Sequence, residues 1–593
     1  MARRMRTDDA RVVALLMLGL AGLTAISWRR WGLPSFDAGL DLTVADQIAQ
    51  DGAVPYDDAR YFYGPAGLYS LALAFKVFGS SLTVAFAFGF LQTIAILSAF
   101  YALARMWLVP AAAGLATGLL MSIAFSGTFF DYVLPHTNAG TFGCLFLVLQ
   151  VLAVARGRSA LAGVAAGLAC LTRVEFAVFA LAVAAGAVIG HFKESGAREA
   201  ARSAAAIGLP AVLVVVAVYA PLAAASGLDR LLFENLVPLD FARVAGDRLQ
   251  GDWAPFTVSS LVATLARAAI AGGLAAGLIA AVVKFREWPR AKSLWPLAAS
   301  VGGLAVAGAL WYALGIFAGA RADVEDEVTR LLIAMSWLPI PALALLGWAA
   351  LRWRRGEPAV GIGWPADLAL LGGAAAAALR GYNEFTPDSY APYWAALPVL
   401  AAAIAVERVV TRWPTAKAAG RAVLAVAAAA LVVHAYGGLY SDDVATAETP
   451  RGAFRWYANG GPEVEATTRY LAGRLEDREP ILVLPDTPGL HFLSGHPSAL
   501  YESTFLPGTL DTAADEREAV RVLERRRPRM VVVGAQRMQN YGFSEIGVDY
   551  NRILFGYVRR RYRPVATFGD VRRPTRNNLP VQAFTVWERR RPG

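Results

Sequence analysis

Charge is scarce in this chain. Only 17% of its 593 residues are Asp, Glu, Lys or Arg, whereas 56% are hydrophobic. An ordinary soluble domain is about 25% charged and about 45–50% apolar. Cysteine is nearly absent, and both Cys144 and Cys170 lie inside apolar runs. Such thiols act as packing residues and carry no information about redox compartment. The C-terminal part has no G-x-G-x-x-G and no G-x-x-x-x-G-K-[ST], so nothing points to a nucleotide cofactor. It has no G-x-S-x-G element either. His491 and His496 have no acidic or cysteine partner at metal-ligand spacing and read as loop residues. An internal repeat, which would favour a transporter, is missing as well.

What the chain has instead is a series of continuous apolar runs, such as VVALLMLGLAGLTAISW, LPAVLVVVAVYAPLAAA and AVLAVAAAALVVHAYGGLY. Each approaches the roughly 20 residues needed to cross a bilayer as a helix, and none alternates as barrel strands do. The sequence therefore predicts a polytopic α-helical membrane protein. The formal net charge of +10 does not signal nucleic acid. Much of it recurs in short clusters between apolar runs: Arg3/Arg4/Arg6, Arg156/Arg158, Lys284/Arg286/Arg290/Lys292, Arg352/Arg354/Arg355 and Arg408/Arg412/Lys417/Arg421. That is the positive-inside pattern.

With those clusters as cytoplasmic markers, about 13 spans fit between Arg11 and Tyr440. Thr257–Val283, Leu294–Phe317 and Leu331–Leu351 are among them. The first, Arg11–Ser27, resembles a signal peptide but reaches Trp28-Arg29-Arg30-Trp31 without a small-residue cleavage site, and reads as uncleaved. Gly67–Phe78 is too short to span. Counted as a span it would reverse every later loop, so it is expected to lie along the outer interface as a juxtamembrane helix. Small residues (LAGVAAGLA, AGGLAAGLIAA) suit close helix packing.

Composition changes after Tyr440. ILVLP, MVVVG, PVATFG and VQAFTVWERR read as strands, and EREAVRVLERRRP and YNRILFGYVRRRY as amphipathic helices. The division is thus residues 1–440 as a membrane domain, with residues 36–80 as its first outer loop, and 441–593 as a soluble α/β domain. An odd span count puts that domain outside the cytoplasmic membrane, with the N-terminus inside.

The densest chemistry lies in the first outer loop, FDAGLDLTVADQIAQDGAVPYDDARYFYGPAGLY, which carries Asp37, Asp41, Asp46, Asp51, Asp57 and Asp58. Carboxylates beside a lipid phase stay wet, pair or bind something. Asp37 could accept a proton from an attacking sugar hydroxyl; as a bland alternative it is a helix N-cap. Asp57 and Asp58 are hard oxygen ligands suited to a divalent cation such as Mg²⁺, Mn²⁺ or Ca²⁺, or a polar turn. Asp131 and His136, in FFDYVLPHTNA, occupy the next outer loop, where histidine is a proton handler. Arg173, in CLTRVEF, has the donor fork for a lipid phosphate, or makes a local pair with Glu175. Arg380 and Tyr382, in ALRGYNEF, form a second such candidate, or an interfacial anchor.

A first span, an outer loop that begins with Asp, the Tyr63-Gly64-Pro65 step and a juxtamembrane helix together resemble the GT-C glycosyltransferases. Within that superfamily the nearest branch includes protein O-mannosyltransferases, aminoarabinose transferases and rhizobial core sugar transferases. GLACLTRVEF, at Gly167–Phe176, is similar to that branch's Gly-Leu…Leu-Thr-Lys stretch, with Arg173 in the lysine position. The resemblance implies an inverting transfer of a sugar from a polyprenyl-phosphate donor to an envelope glycan, lipid or protein acceptor. It makes Asp37 the catalytic base. Arg173 and Arg380 are the candidates to meet the leaving phosphate, and Tyr63, His136 and Tyr382 are further candidate substrate contacts. Any divalent cation would fall to Asp57, Asp58 or Asp131. Ala38 stands where the family's usual second acidic residue would be. Two other readings are a transporter or flippase for a lipid-linked saccharide, and a non-catalytic envelope assembly protein.

Overall fold

The computed structural model describes residues 2–127, 130–238, 338–381, 390–409, 414–435, 444–457, 460–576 and 581–591. The expected spans Thr257–Val283 and Leu294–Phe317, the start of Leu331–Leu351, and Tyr382 lie outside them.

The chain begins with α1 (Ala2–Ile26), α2 (Asp37–Asp51), α3 (Pro65–Phe78), α4 (Leu82–Trp107) and α5 (Pro110–Ala124). Next come α6 (Asn138–Ala155), α7 (Ser159–Cys170), α8 (Val174–Ser195), α9 (Ala197–Ser226) and a π-helical turn, Arg230–Leu236. Among the described residues, five helices are long and apolar enough to cross a membrane: Thr7–Ile26 within α1, and α4, α6, α8 and α9. Their outward faces are apolar, with Leu18, Leu91, Leu181 and Leu209 among the exposed side chains. In water such a surface would be unstable; against acyl chains it is the expected one.

The membrane body continues with α10 (Pro339–Arg354), α11 (Trp364–Arg380), the short α12 (Ala391–Trp394), α13 (Ala396–Val409) and α14 (Pro414–Ala435). α11 lies against α8, and the contact is close because glycines face it. A Cβ on Gly186 would stand 2.2 Å from the carbonyl oxygen of Leu368. Small residues thus let the two backbones meet, as packing within a bilayer favours.

The remainder holds the strands. β1 (Val444–Thr449) and β2 (Gly452–Tyr457) form an antiparallel pair followed by α15 (Gly461–Ala472). β3 (Leu482–Leu484), α16 (Gly489–Ser494), α17 (Ala513–Arg526) and β4 (Met530–Gly534) come next. They precede β5 (Gln536–Arg537), α18 (Arg552–Arg561), β6 (Tyr562–Phe568), β7 (Thr575–Arg576) and β8 (Phe584–Arg589). The main sheet runs β3-β4-β8-β6. Only its β3/β4 pair is parallel. β3 and most of β4 are buried, so both read as short apolar runs in the sequence.

The strand-bearing region is docked on the first loop by ion pairs and backbone bonds. Arg478 reaches Asp46 at 3.0 Å and also pairs with Asp51, and Arg451 reaches Asp46 at 3.5 Å. The N–H of Arg60 donates to the carbonyl of Tyr501 (2.9 Å), and its Nη1 donates to that of Thr509 (2.7 Å).

Candidate active site

Asp37 is the first residue of α2, and Phe36 before it supplies no side-chain cap. The free N–H groups and dipole of a helix start favour a carboxylate there. The next turn holds the helix in place through Asp41, which is buried. Its Oδ1 accepts the Tyr61 hydroxyl (2.8 Å), and its Oδ2 accepts both the N–H (2.5 Å) and the Nδ2 (3.0 Å) of Asn138. α2 is thereby fastened to the start of α6. Burial raises the Asp41 carboxyl to about 6, opposed by those donors.

His136 Nε2 lies 3.4 Å from Asp37 Oδ2 and 3.0 Å from the Tyr390 hydroxyl. Its backbone N–H donates to the Tyr393 hydroxyl at 3.0 Å, and its ring stacks on Phe130 with centroids 5.2 Å apart. Burial, and then the positive charge of Arg173, hold the imidazole down to about 3. His136 is therefore neutral at pH 7. Beside an ionised Asp37 its proton belongs on Nε2, the nitrogen facing the carboxylate. Nδ1 has no hydrogen-bond partner among the described residues. Asp37 itself keeps a 34% exposed side chain, and its surroundings raise its carboxyl to about 7 through desolvation. A carboxylate at that poise takes up a proton readily.

Tyr390 joins this acid–histidine pair to the arginines. The Arg173 guanidinium sits between two rings, 4.2 Å from the centroid of Tyr390 and 4.9 Å from that of Tyr63. Tyr390 stacks on Trp394, and Arg380 lies 4.6 Å over the Trp394 ring. Glu175 bridges both arginines, at 2.9 Å from Arg173 Nη2 and 3.8 Å from Arg380 Nη2. The three ionised side chains carry one net positive charge. Arg173 is 6% exposed, and its Nη1 has no hydrogen-bond partner among the described residues. A buried, oriented donor with spare positive charge suits a phosphate oxygen.

Arg173 reaches this place because Gly64 allows its loop to close in. The Gly64 N–H donates to the Thr172 carbonyl, and a Cβ on Gly64 would lie 2.4 Å from the Leu171 carbonyl oxygen. The Tyr63-Gly64-Pro65 step therefore brings two loops into contact, and Pro65 starts α3, where its missing N–H costs nothing.

The structure thus joins Asp37, His136, Tyr63, Arg173 and Arg380 in one array. Asp57, Asp58 and Asp131 do other work. Asp57 pairs with Arg230 (3.5 Å), and Asp58 accepts the Val54 N–H (2.8 Å). Asp131 is buried and accepts the N–H groups of Gly32 (2.6 Å), Val133 (2.7 Å) and Leu134 (2.8 Å). Both of its oxygens are engaged in holding the loop after α1 against the loop before α6. Among the described residues, no three His, Cys, Asp or Glu side chains come together as a cation would need. Asp57, Asp58 and Asp131 are therefore not gathered into one donor set among the described residues.

One acid of the site was missed by sequence reasoning. Asp486, just after β3, is buried and is brought to the start of α2 by the docked C-terminal region. The Thr43 hydroxyl donates to the Pro488 carbonyl (2.9 Å), and a Cβ on Gly39 would lie 2.3 Å from the Gly489 Cα. Asp486 is raised above the ordinary carboxylate range by burial first and by the charge of Asp37 second. Its only sequence signal was an acidic residue in a Pro-Asp-Thr-Pro-Gly turn at the end of an apolar strand.

No protein-family model matches the chain, and no curated protein does. Among solved structures it is similar to the Archaeoglobus fulgidus oligosaccharyltransferase tethered with an acceptor peptide. That likeness has 14% identity and a TM-score of 0.49, covering 93% of this chain and 72% of the other. It is similar to ArnT from Cupriavidus metallidurans bound to undecaprenyl phosphate, with 13% identity and a TM-score of 0.40 over 97% and 98% of the two chains. A third likeness is to the mycobacterial arabinofuranosyltransferase AftD, with 15% identity and a TM-score of 0.39, over 99% of this chain and 41% of AftD. Each likeness is one of shape; the chemical reading rests on the side chains.

Proposed function

We propose that this membrane protein is a glycosyltransferase that moves a sugar from a polyprenyl-phosphate donor to an acceptor hydroxyl at the outer face of the cytoplasmic membrane. The observation that carries the reading is the connected array from a carboxylate to an arginine: Asp37, His136, Tyr390 and Arg173. One end accepts a proton and the other attracts a phosphate.

The reaction is an inverting displacement. The acceptor oxygen forms a bond to the anomeric carbon while the bond from that carbon to the phosphate oxygen breaks. Asp37 takes the acceptor proton. The bonding pair leaves with polyprenyl phosphate, whose growing negative charge faces Arg173, with Arg380 behind it. His136, neutral and anchored by Tyr390 and Tyr393, holds the Asp37 carboxylate in one orientation. The exposed apolar side of α3, with Leu73, Val77 and Phe78, suits a helix lying at the lipid surface, where a polyprenyl chain would approach.

The test uses the full chain in nanodiscs with short-chain polyprenyl-phosphate mannose or arabinofuranose. The expected result is release of polyprenyl phosphate by the parent protein and its loss in Asp37→Asn, which keeps size and removes the base. Sugar transfer retained by Asp37→Asn would overturn the mechanism.

A further inference from the structure

The chemistry assigned to Asp37 leaves several polar groups unused, and they belong to the C-terminal domain. After β3 the chain runs through residues 485–488 into α16, whose first residue, Gly489, meets the first turn of α2. A Cβ on Gly489 would lie 1.8 Å from the Pro34 carbonyl oxygen and 2.8 Å from the Ser35 Cα. The segment that carries Asp486 is therefore held against the start of α2.

Asp486 Oδ1 accepts the Thr504 hydroxyl at 2.5 Å. The Phe505 N–H donates to the Pro485 carbonyl at 2.6 Å, which holds residues 503–505 beside residues 485–487. In this layer Thr487 Oγ1 and Ser503 Oγ have no hydrogen-bond partner among the described residues, although the two side chains are only 2% and 4% exposed. Buried hydroxyls are nearly always satisfied, and an unpaired pair beside a carboxylate calls for an explanation.

We propose that Asp486, with Thr487 and Ser503, forms the acceptor subsite, and that the acceptor is a carbohydrate presenting neighbouring hydroxyls. The inference rests on the sugar-transfer reading of Asp37. A sugar ring carries hydroxyls on successive carbons, and each can both donate and accept. One would deliver its proton to Asp37, while its neighbours donate to Asp486 and pair with the two orphaned hydroxyls. A seryl or threonyl side chain brings a single hydroxyl, which Asp37 would take, and the other three groups would stay unmatched. Asp486 is a positioning residue for the acceptor: no bond is made or broken at its carboxyl.

The full chain in nanodiscs is given short-chain polyprenyl-phosphate mannose or arabinofuranose and two kinds of acceptor probe. One is a set of octyl glycosides of mannose, glucose and arabinose; the other is octanoyl-serine amide. Transfer to a glycoside is expected. Asp486→Asn should raise the acceptor KM about 10-fold or more, the effect of losing a charged hydrogen bond. Its kcat at saturating acceptor should change by less than its acceptor KM does. Thr487→Val and Ser503→Ala should shift KM the same way by less, with melting temperatures showing that the fold is kept.

An unchanged acceptor KM in Asp486→Asn overturns the subsite. So does a preference for the seryl probe. Donor hydrolysis by the parent chain without transfer to any glycoside also overturns it, while leaving the donor chemistry standing. Failure of the parent chain to turn over any lipid-phosphate sugar overturns the transferase reading itself.

Discussion

Gly39 and Gly489 cross with their backbones in contact: a Cβ on Gly39 would lie 2.3 Å from the Gly489 Cα and 2.5 Å from its N. This crossing joins the helix that carries Asp37 to the loop that carries Asp486. Neither position has room for a side chain, and the obstructing atoms are backbone, which has no rotamer to move. Gly489→Ala is expected to push α16 away from α2, at about 1–3 kcal/mol, the usual range for overpacking. Thermal melting and limited proteolysis of the C-terminal region should show the loosening. Sugar transfer should fall further than stability does, because Asp486 moves with the loop.

The charge state of the acid pair sets a pH dependence of opposite sign for activity and for stability. The Asp37 carboxyl is raised to about 7 by burial, so the base is protonated below neutrality. The rate at low donor concentration should climb with pH through about 7, and Asp37→Asn should be slower by about 10²–10⁴-fold and lose that step. Stability runs the other way. A carboxyl whose folded value lies above its unfolded value binds its proton more tightly when folded, so raising pH from about 4 to about 7 weakens the fold. Asp486, which is raised in the same direction, adds to the effect. Asp486→Asn should therefore melt higher than the parent chain at pH 8, with the difference shrinking at pH 5. A difference that is constant across this range would contradict the assignment.

How much of the site was legible in the sequence follows from how far apart its parts lie. Asp37, Tyr63, His136 and Arg173 stand at or within two residues of helix starts (α2, α3, α6 and α8), so a topology that alternates sides places them on one face. The loop's other aspartates were less legible, because an acidic residue in a loop looks the same whether it binds, caps or docks. Asp41 fastens α2 to α6, Asp46 and Asp51 receive Arg478, Asp58 caps a turn, and Asp57 meets Arg230. Apart from Asp58, whose partner is the nearby Val54 N–H, their partners come from remote segments, and spacing does not encode them. Asp486 was hidden for the same reason: only the docking of the strand-bearing C-terminal region on α2 brings its segment to the helix that carries Asp37. The apolar helices and the short buried strands were readable because hydrophobic pattern is local.

Arg173 depends on its shape as well as its charge. A planar guanidinium fits between the Tyr63 and Tyr390 rings, whereas a lysine ammonium neither stacks in that way nor keeps a directed fork. Arg173→Lys is expected to weaken binding of polyprenyl phosphate by about 10-fold or more, the loss of a charge-assisted hydrogen bond. Equilibrium binding of the lipid phosphate to the nanodisc-embedded chain measures it directly. Tyr390→Phe should keep the stacking and lose the hydroxyl on His136 Nε2. It should leave lipid-phosphate binding near the parent value while slowing transfer. Equal effects of both variants on binding would break the division between the phosphate end and the acid end of the array.

The docking of the strand-bearing C-terminal region on Asp46 rests on Arg478 more than on Arg451. Arg478 serves both Asp46, whose side chain is 5% exposed, and Asp51, whereas Arg451 reaches one carboxylate, Asp46, at a longer 3.5 Å and also donates to the Ser80 carbonyl. Arg478→Ala would leave the buried Asp46 with its weaker partner, and removing one member of a buried pair costs about 3–5 kcal/mol. Arg478 is partly exposed, and Arg451 compensates part of the charge. The expected loss is therefore about 1–3 kcal/mol, read as a lower melting temperature. Asp46→Asn combined with Arg478→Ala should be less destabilising than the sum of the two single changes, since the double variant leaves no buried charge without its partner. Strict additivity in that cycle would show that the two side chains do not act as a pair.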